Sequence, residues 1–170
     1  VLDGSKINAS TDELAFGLKI LSNGNIIRGL QIISFPFAAV SLQEGAQNNI
    51  IGGDREAGAG PLGQGNLLSG NGRAGVGIWN TDTSHNTIMG NYIGTDISGL
   101  NPLANLDSGV LIDSGAHDNM IGPDNIIAHN GIGIQIVSNS AGNTITRNSI
   151  HDNRGPGIAL TAGGNTDLAA

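Results

Sequence analysis

The chain repeats one short phrase at a fixed interval, and no other feature limits its fold so tightly. Gly109-Val110-Leu111-Ile112 is followed by Asn119-Met120-Ile121 and Asn125-Ile126-Ile127. Gly133-Ile134-Gln135-Ile136 is followed by Asn143-Thr144-Ile145 and Asn148-Ser149-Ile150, and Gly157-Ile158-Ala159-Leu160 opens a third round. The opening glycines lie 24 residues apart, an interval typical of solenoids, whose units stack because none can bury its apolar face alone.

The same phrase, less regular, runs back to residue 17. Its slots are filled by Gly17-Leu18-Lys19-Ile20, Asn25-Ile26-Ile27 and Leu30-Gln31-Ile32, then by Ala39-Val40-Ser41-Leu42, Asn49-Ile50-Ile51 and Asn66-Leu67-Leu68. A further round is Gly75-Val76-Gly77-Ile78, Asn86-Thr87-Ile88 and Asn91-Tyr92-Ile93. Residues 54–65 and 95–106 read as insertions at corners, where they leave strand register intact. Within each phrase aliphatic residues alternate with others, the period of a strand with one buried face. Stacked coils would set Ile121 between Ile88 and Ile145, and each buried aliphatic side chain contributes roughly 1.5–3 kcal/mol.

Asparagine is a poor strand residue, yet it recurs in two columns: Asn25, Asn49, Asn86, Asn119 and Asn143, and Asn66, Asn91, Asn125 and Asn148. These positions are read as corners, where Asn adopts left-handed backbone conformations and its amide bonds to the amide above. Residues 1–170 are read as one domain. Its first 16 residues form an N-terminal strand at Val1-Leu2-Asp3-Gly4 and a capping segment; Ser10 and Glu13 have capping-box spacing, but a loop fits better.

Twenty-eight glycines and 3% aromatic residues suit many short strands around a narrow core. A formal charge of −7 disfavours nucleic acid and anionic membrane, which call for clustered Lys and Arg. No cysteine is present, so disulfides, zinc thiolates and thiol nucleophiles are excluded together. No apolar run approaches the ~20 residues of a membrane-spanning helix. The chain begins at Val1 without Met and is read as a piece of something larger, more soluble with its following segment restored because open strand edges invite pairing.

Three unequal strands in a period of 22 to 24 differ from the 18-residue period of left-handed hexapeptide helices. They resemble the repeats of the pectin-lyase-like superfamily. More narrowly, Gly90-Asn91-Tyr92-Ile93-Gly94-Thr95-Asp96 and Gly109-Val110-Leu111-Ile112-Asp113-Ser114-Gly115-Ala116 are similar to repeats of large secreted or surface-attached bacterial proteins. The resemblance covers residues 15 to 160. It implies an all-β, right-handed parallel β-helix of about six coils and three short parallel sheets, in a secreted or cell-surface protein.

It also implies where chemistry would lie. Polysaccharide-cleaving members of the superfamily use the outer face of the first sheet, here Lys19, Leu21, Ser41, Gln43, Gly77, Trp79, Leu111, Asp113, Gln135 and Val137, with the 95–106 insertion beside it. The single tryptophan, Trp79, should point outward, where with Gln43, Asp113 and Gln135 it offers an apolar platform and a few polar groups for a sugar. Alternatively, Leu100 or Leu103 folds over it. Asp82, Asp96, Asp107 and Asp113 flank that sheet and are candidate calcium ligands, since calcium takes several carboxylate oxygens, or else form a solvated rim.

The motifs of the catalytic families are mostly missing. Asn80-Thr81-Asp82 matches one polygalacturonase phrase, but the double Asp, Gly-His-Gly and Arg-Ile-Lys phrases are absent, as is the Tyr-Gly-Phe-Asp-Pro-His of mannuronan epimerases. The lyase pairing of an acid cluster with a base fails because Lys19 lies several coils from Asp113. His85, His117, His129 and His151 are not spaced as metal ligands, and Thr81-x-Thr83 and Thr144-x-Thr146 do not form the ladder of an ice-binding face.

The expectation is therefore a noncatalytic extracellular structural or surface module that binds glycan on its first sheet. The alternative is a lyase, hydrolase or epimerase acting on acidic polysaccharide. The apolar column Leu67, Tyr92 and Ile126 would be covered by a neighbouring domain or subunit, or by the 54–65 insertion.

Overall fold

The computed structural model describes residues 1–8 and 15–165; the Ser10 and Glu13 pair lies outside them. Among the described residues seventeen short strands wind through three parallel sheets. The first sheet contains β2 (Leu18–Ile20), β5 (Ala38–Leu42), β8 (Ala74–Trp79), β11 (Ser108–Asp113), β14 (Ile132–Ile136) and β17 (Ile158–Leu160). The second contains β3 (Ile26–Ile27), β6 (Ile50–Gly52), β9 (Thr87–Met89), β12 (Met120–Ile121) and β15 (Thr144–Ile145). The third contains β1 (Leu2–Asp3), β4 (Gln31–Ile33), β7 (Leu67–Ser69), β10 (Tyr92–Ile93), β13 (Ile126–Ala128) and β16 (Ser149–His151). Each sheet thus takes every third strand, and the chain is an all-β right-handed parallel helix with no α-helix among the described residues.

Register follows the repeat. Ile88, Ile121 and Ile145 are direct neighbours in the second sheet, and Val40, Val76, Val110 and Ile134 line up in the first. The core is a slender column in which Leu42, Ile78, Ile112 and Ile136, among others, are fully buried. Strands of two to six residues persist because each coil buries its aliphatic row between two others.

The opening glycine of each phrase has a steric cause. Ala39 and Val40 both belong to the core although they are consecutive, so strict alternation fails at this corner and the position after the strand's first residue also turns inward. A Cβ on Gly109 would lie 2.6 Å from Ile127 Cγ2 and 2.7 Å from the Gly133 carbonyl. Only Gly, or Ala where the corner is looser, fits.

The two expected asparagine columns are present, and a third runs beside them. The side-chain Nδ2 of Asn49 donates to Asn86 Oδ1, Asn86 to Asn119 and Asn119 to Asn143. Asn66 donates to Asn91, Asn91 to Asn125 and Asn125 to Asn148. The unforeseen column joins Asn71, Asn105, Asn130 and Asn153 between the third and first sheets. Asn105 falls inside the expected 95–106 insertion and is nonetheless a rung. Most of these amides also reach a main-chain carbonyl, as Asn91 does at Ile51, Asn125 at Ile88 and Asn105 at Leu68, which satisfies them as burial of a polar group requires.

The corner conformation departs from expectation. The stacked asparagines themselves avoid the left-handed region; at most rungs the residue before them enters it. Asn48 (φ 57°), His85 (57°) and Asp118 (52°) precede the first column, Asp124 (63°) and Arg147 (48°) the second, and His129 (63°) and Asp152 (51°) the third. Turning the chain there frees the next residue to aim its amide down the axis.

The insertions cover the third sheet. Arg55 from the first lies over the Tyr92 ring, 5.0 Å from its centroid, and Gly99 from the second sits against Tyr92 and Ile126. The Leu67, Tyr92 and Ile126 column is in register and is sheltered from within the chain. The 95–106 segment therefore folds back over the third sheet rather than beside the first, because its Thr95–Pro102 bridge closes it at the end of β10.

Candidate functional site

The outer face of the first sheet carries two rows. Lys19, Ser41, Gly77, Leu111 and Gln135 pair in one; in the other Trp79 pairs with Asp113, with Gln43 and Val137 at the matching positions of the flanking coils. The sequence-derived residues Trp79, Gln43, Asp113 and Gln135 thus share one face, each partly exposed.

The face is not an open platform. Trp79 leaves the sheet outward, as expected, and then folds back so that its six-membered ring lies on Gly77, in the space where a Cβ would be. Phe16 and Phe37 meet the indole with ring centroids 6.2 and 6.0 Å away, and each other at 5.0 Å, in edge and tilted geometries that suit the ring quadrupoles. Ala38, Ala74, Leu111 and Val137 complete this outer apolar cluster. Arg73 lies over Phe37, 4.9 Å from its centroid, and its Nε is 3.7 Å from an Asp107 carboxylate oxygen. The cover on Trp79 is aromatic: Leu100 is exposed and Leu103 packs at Gly70.

The polar neighbours bond locally. Gln43 donates to Ser41 Oγ, Gln135 accepts from Ser108 Oγ at 3.0 Å, and the Asp113 carboxylate accepts the Ser114 backbone N–H. The four candidate calcium ligands, Asp82, Asp96, Asp107 and Asp113, are not gathered at one point among the described residues. Asp96 is in the insertion over the third sheet, accepting from Ser98 and Asn101; Asp107 faces Arg73; and no three His, Asp or Glu residues converge among the described residues. Hydrogen bonds from Ser98 and then Asn101 hold the Asp96 carboxyl far below the usual carboxylate range, so this group latches its loop.

The histidines pair along corners. His85 and His117 meet edge to face, as do His129 and His151, each pair with centroids 6.4 Å apart. His117 Nδ1 lies 2.8 Å from Asp118 Oδ2, and His151 Nδ1 2.8 Å from Asp152 Oδ2; the latter contact lowers the Asp152 pKa.

Sequence reasoning missed Phe16 and Phe37, which lie outside the repeated phrase. Their signal was available as aromatic residues one or two positions before the first-sheet strands of adjacent coils.

Three parallel sheets, coiled in register around one aliphatic column, define the class: a right-handed parallel β-helix. A family model described as "Right handed beta helix region" matches residues 16–168, and the chain belongs to that family. No curated protein and no solved structure matches it.

Proposed function

We propose that this domain is a noncatalytic structural module of a secreted or surface-attached protein, touching glycan on the outer face of its first sheet around Trp79. The observation that carries the reading is that Asp96, Asp107 and Asp113 are each engaged locally and form no cluster among the described residues. Glycoside hydrolysis takes two carboxyl groups at ~5–10 Å across one bond, and calcium-dependent elimination takes several oxygens on one cation. Asp96 and Asp107 are instead bound to Ser98, Asn101 and Arg73, and Asp113 to its own turn. The buried amides brace the stack, which suits a stiff spacer. The indole edge beside Asp113 and Gln43 supplies the apolar and polar contacts a sugar needs.

Incubation with pectate, alginate and neutral polysaccharides, with and without calcium, tests the first half; no new unsaturated or reducing ends are expected, and their release would establish an enzyme instead. A glycan array tests the second. Trp79→Ala should lose binding that the native chain shows, and unchanged binding would remove this face from the reading.

A further inference from the structure

A concave surface lies at the corner between the first and second sheets, lined by none of the outer aromatic residues. Thr81, Ser114, His117, Asp118, Ser138 and Asn139, from three successive coils, line a depression of ≈ 790 Å³, together with Gly115, Ala141 and Gly142. That volume falls within the range of roughly 300–1,000 Å³ found for small-molecule sites. The wall is rigid: Gly115 N–H donates to the Ser138 carbonyl and Asp118 N–H to that of Ala141, both at 3.1 Å, and His117 N–H to that of Thr83 at 3.2 Å. The ladder asparagines Asn119 and Asn143 are next in sequence behind it.

We propose that this corner pocket binds a neutral saccharide, an assignment that rests on the reading of the domain as a glycan-contacting module. Its lining is hydroxyl, amide, imidazole and carboxylate, the groups that exchange hydrogen bonds with sugar hydroxyls, whereas its glycine and alanine positions leave room for a ring. Thr81 Oγ1 approaches the Ser114 carbonyl only at 3.5 Å, the outer limit of a hydrogen bond, so its hydroxyl can turn to a ligand. His117 Nδ1 lies 2.8 Å from the Asp118 carboxylate, a contact that steadies the imidazole at the pocket wall.

Charge decides the class of sugar. No Lys or Arg lines the pocket, Asp118 does, and the chain carries a net −7. A uronate would meet repulsion with no bidentate cation to offset it. The pocket thus selects against the acidic polymers that the sequence resemblance suggested.

The test is an NMR titration of the ¹⁵N-labelled chain with gluco-, manno- and galacto-tetraoses, and with tetragalacturonate as the anionic comparison. At least one neutral tetraose should shift the amides of Gly115, Asp118 and Gly142 saturably, and tetragalacturonate should not. Thr81→Tyr, at an exposed position, would fill the pocket and weaken that binding at least tenfold with an unchanged thermal midpoint; Trp79→Ala would leave it intact. Shifts confined to the Trp79 face, or full affinity in Thr81→Tyr, would overturn the pocket while leaving the glycan-contacting reading standing. Pocket shifts with tetragalacturonate alone would overturn the neutral assignment, and no shift with any of the four would overturn the pocket and count against glycan contact altogether.

Discussion

Asn91 bonds twice to one atom of Asn125 in the next coil: its backbone N–H and its side-chain amide both reach Asn125 Oδ1, at 3.0 and 3.1 Å. The second amide hydrogen goes to the carbonyls of Ile51 and Met89, at 2.8 and 3.0 Å. Asn91 Oδ1 in turn accepts the backbone and side-chain N–H of Asn66. One side chain therefore ties three coils together while fully buried.

Asn91→Ala should be among the costliest single changes in the chain. It strands the backbone and side-chain donors of Asn66 and takes the amide away from the Ile51 and Met89 carbonyls, while Asn125 Oδ1 keeps the backbone N–H of residue 91; each unsatisfied buried group costs about 1–3 kcal/mol, so a loss on the order of 3 kcal/mol is expected. Asn25→Ala, in an end coil with a partly exposed side chain, should cost well under half as much. Urea midpoints of the two variants decide this; equal midpoints would mean that the ladder does not hold the stack.

Gly77→Ala should move Trp79. The added methyl would occupy the place of the indole ring, so the ring must swing off Phe16 and Phe37 into water. Because Trp79 is the only tryptophan, its emission should shift to the red and its near-UV dichroism weaken. An unaltered spectrum would contradict the seating described for this ring.

Gly109→Ala acts on the inside. Its φ is not in the left-handed region, so the cost is steric: the methyl meets Ile127, the Gly133 carbonyl and Asn130 Nδ2 within about 3 Å. Overpacking of this kind costs about 1–3 kcal/mol. A melting temperature within a degree of the native value would show that the corner yields freely.

Asp96 sets a pH dependence local to its loop. Its folded pKa is depressed, first by Ser98 and then by Asn101, so the stabilisation is fully present above the unfolded value of about 3.9 and is lost as pH falls through the folded one. Asp96→Asn should speed amide exchange at Ser98 and Asn101, whose N–H groups the carboxylate accepts, by a factor that is constant from pH 5 to 7. Below about pH 4 the two loops should start to converge, meeting only once the pH has fallen through the depressed folded pKa, while the global melting temperature hardly differs.

How much of this was legible depends on distance along the chain. Ile88, Ile121 and Ile145 repeat one local phrase, so their stacking could be read from the period. So could the columns headed by Asn25 and Asn66, which precede an Asn-x-Ile or similar strand. The Asn71, Asn105, Asn130 and Asn153 column escaped because Asn105 is reached through an insertion and Phe35 stands at the first coil's corner, where its N–H bonds Asn71. Trp79 was correctly sent outward by alternation, but its partners Phe16 and Phe37 lie in connections between coils, where a two-residue period says nothing. In the corner pocket Ser114 and Ser138 keep the 24-residue interval, but the repeated phrase ends before them and does not include Thr81, so their meeting is seen only in the winding.

In all three columns the amide-to-amide bonds run one way, each Nδ2 donating to the Oδ1 of the asparagine in the later coil. The dipoles therefore add head to tail, and such chains polarise one another. The rod has a sense: one face offers oxygens and the opposite face offers hydrogens. Two such rods could continue each other's columns only when laid nose to tail, and a reversed copy would set acceptor against acceptor.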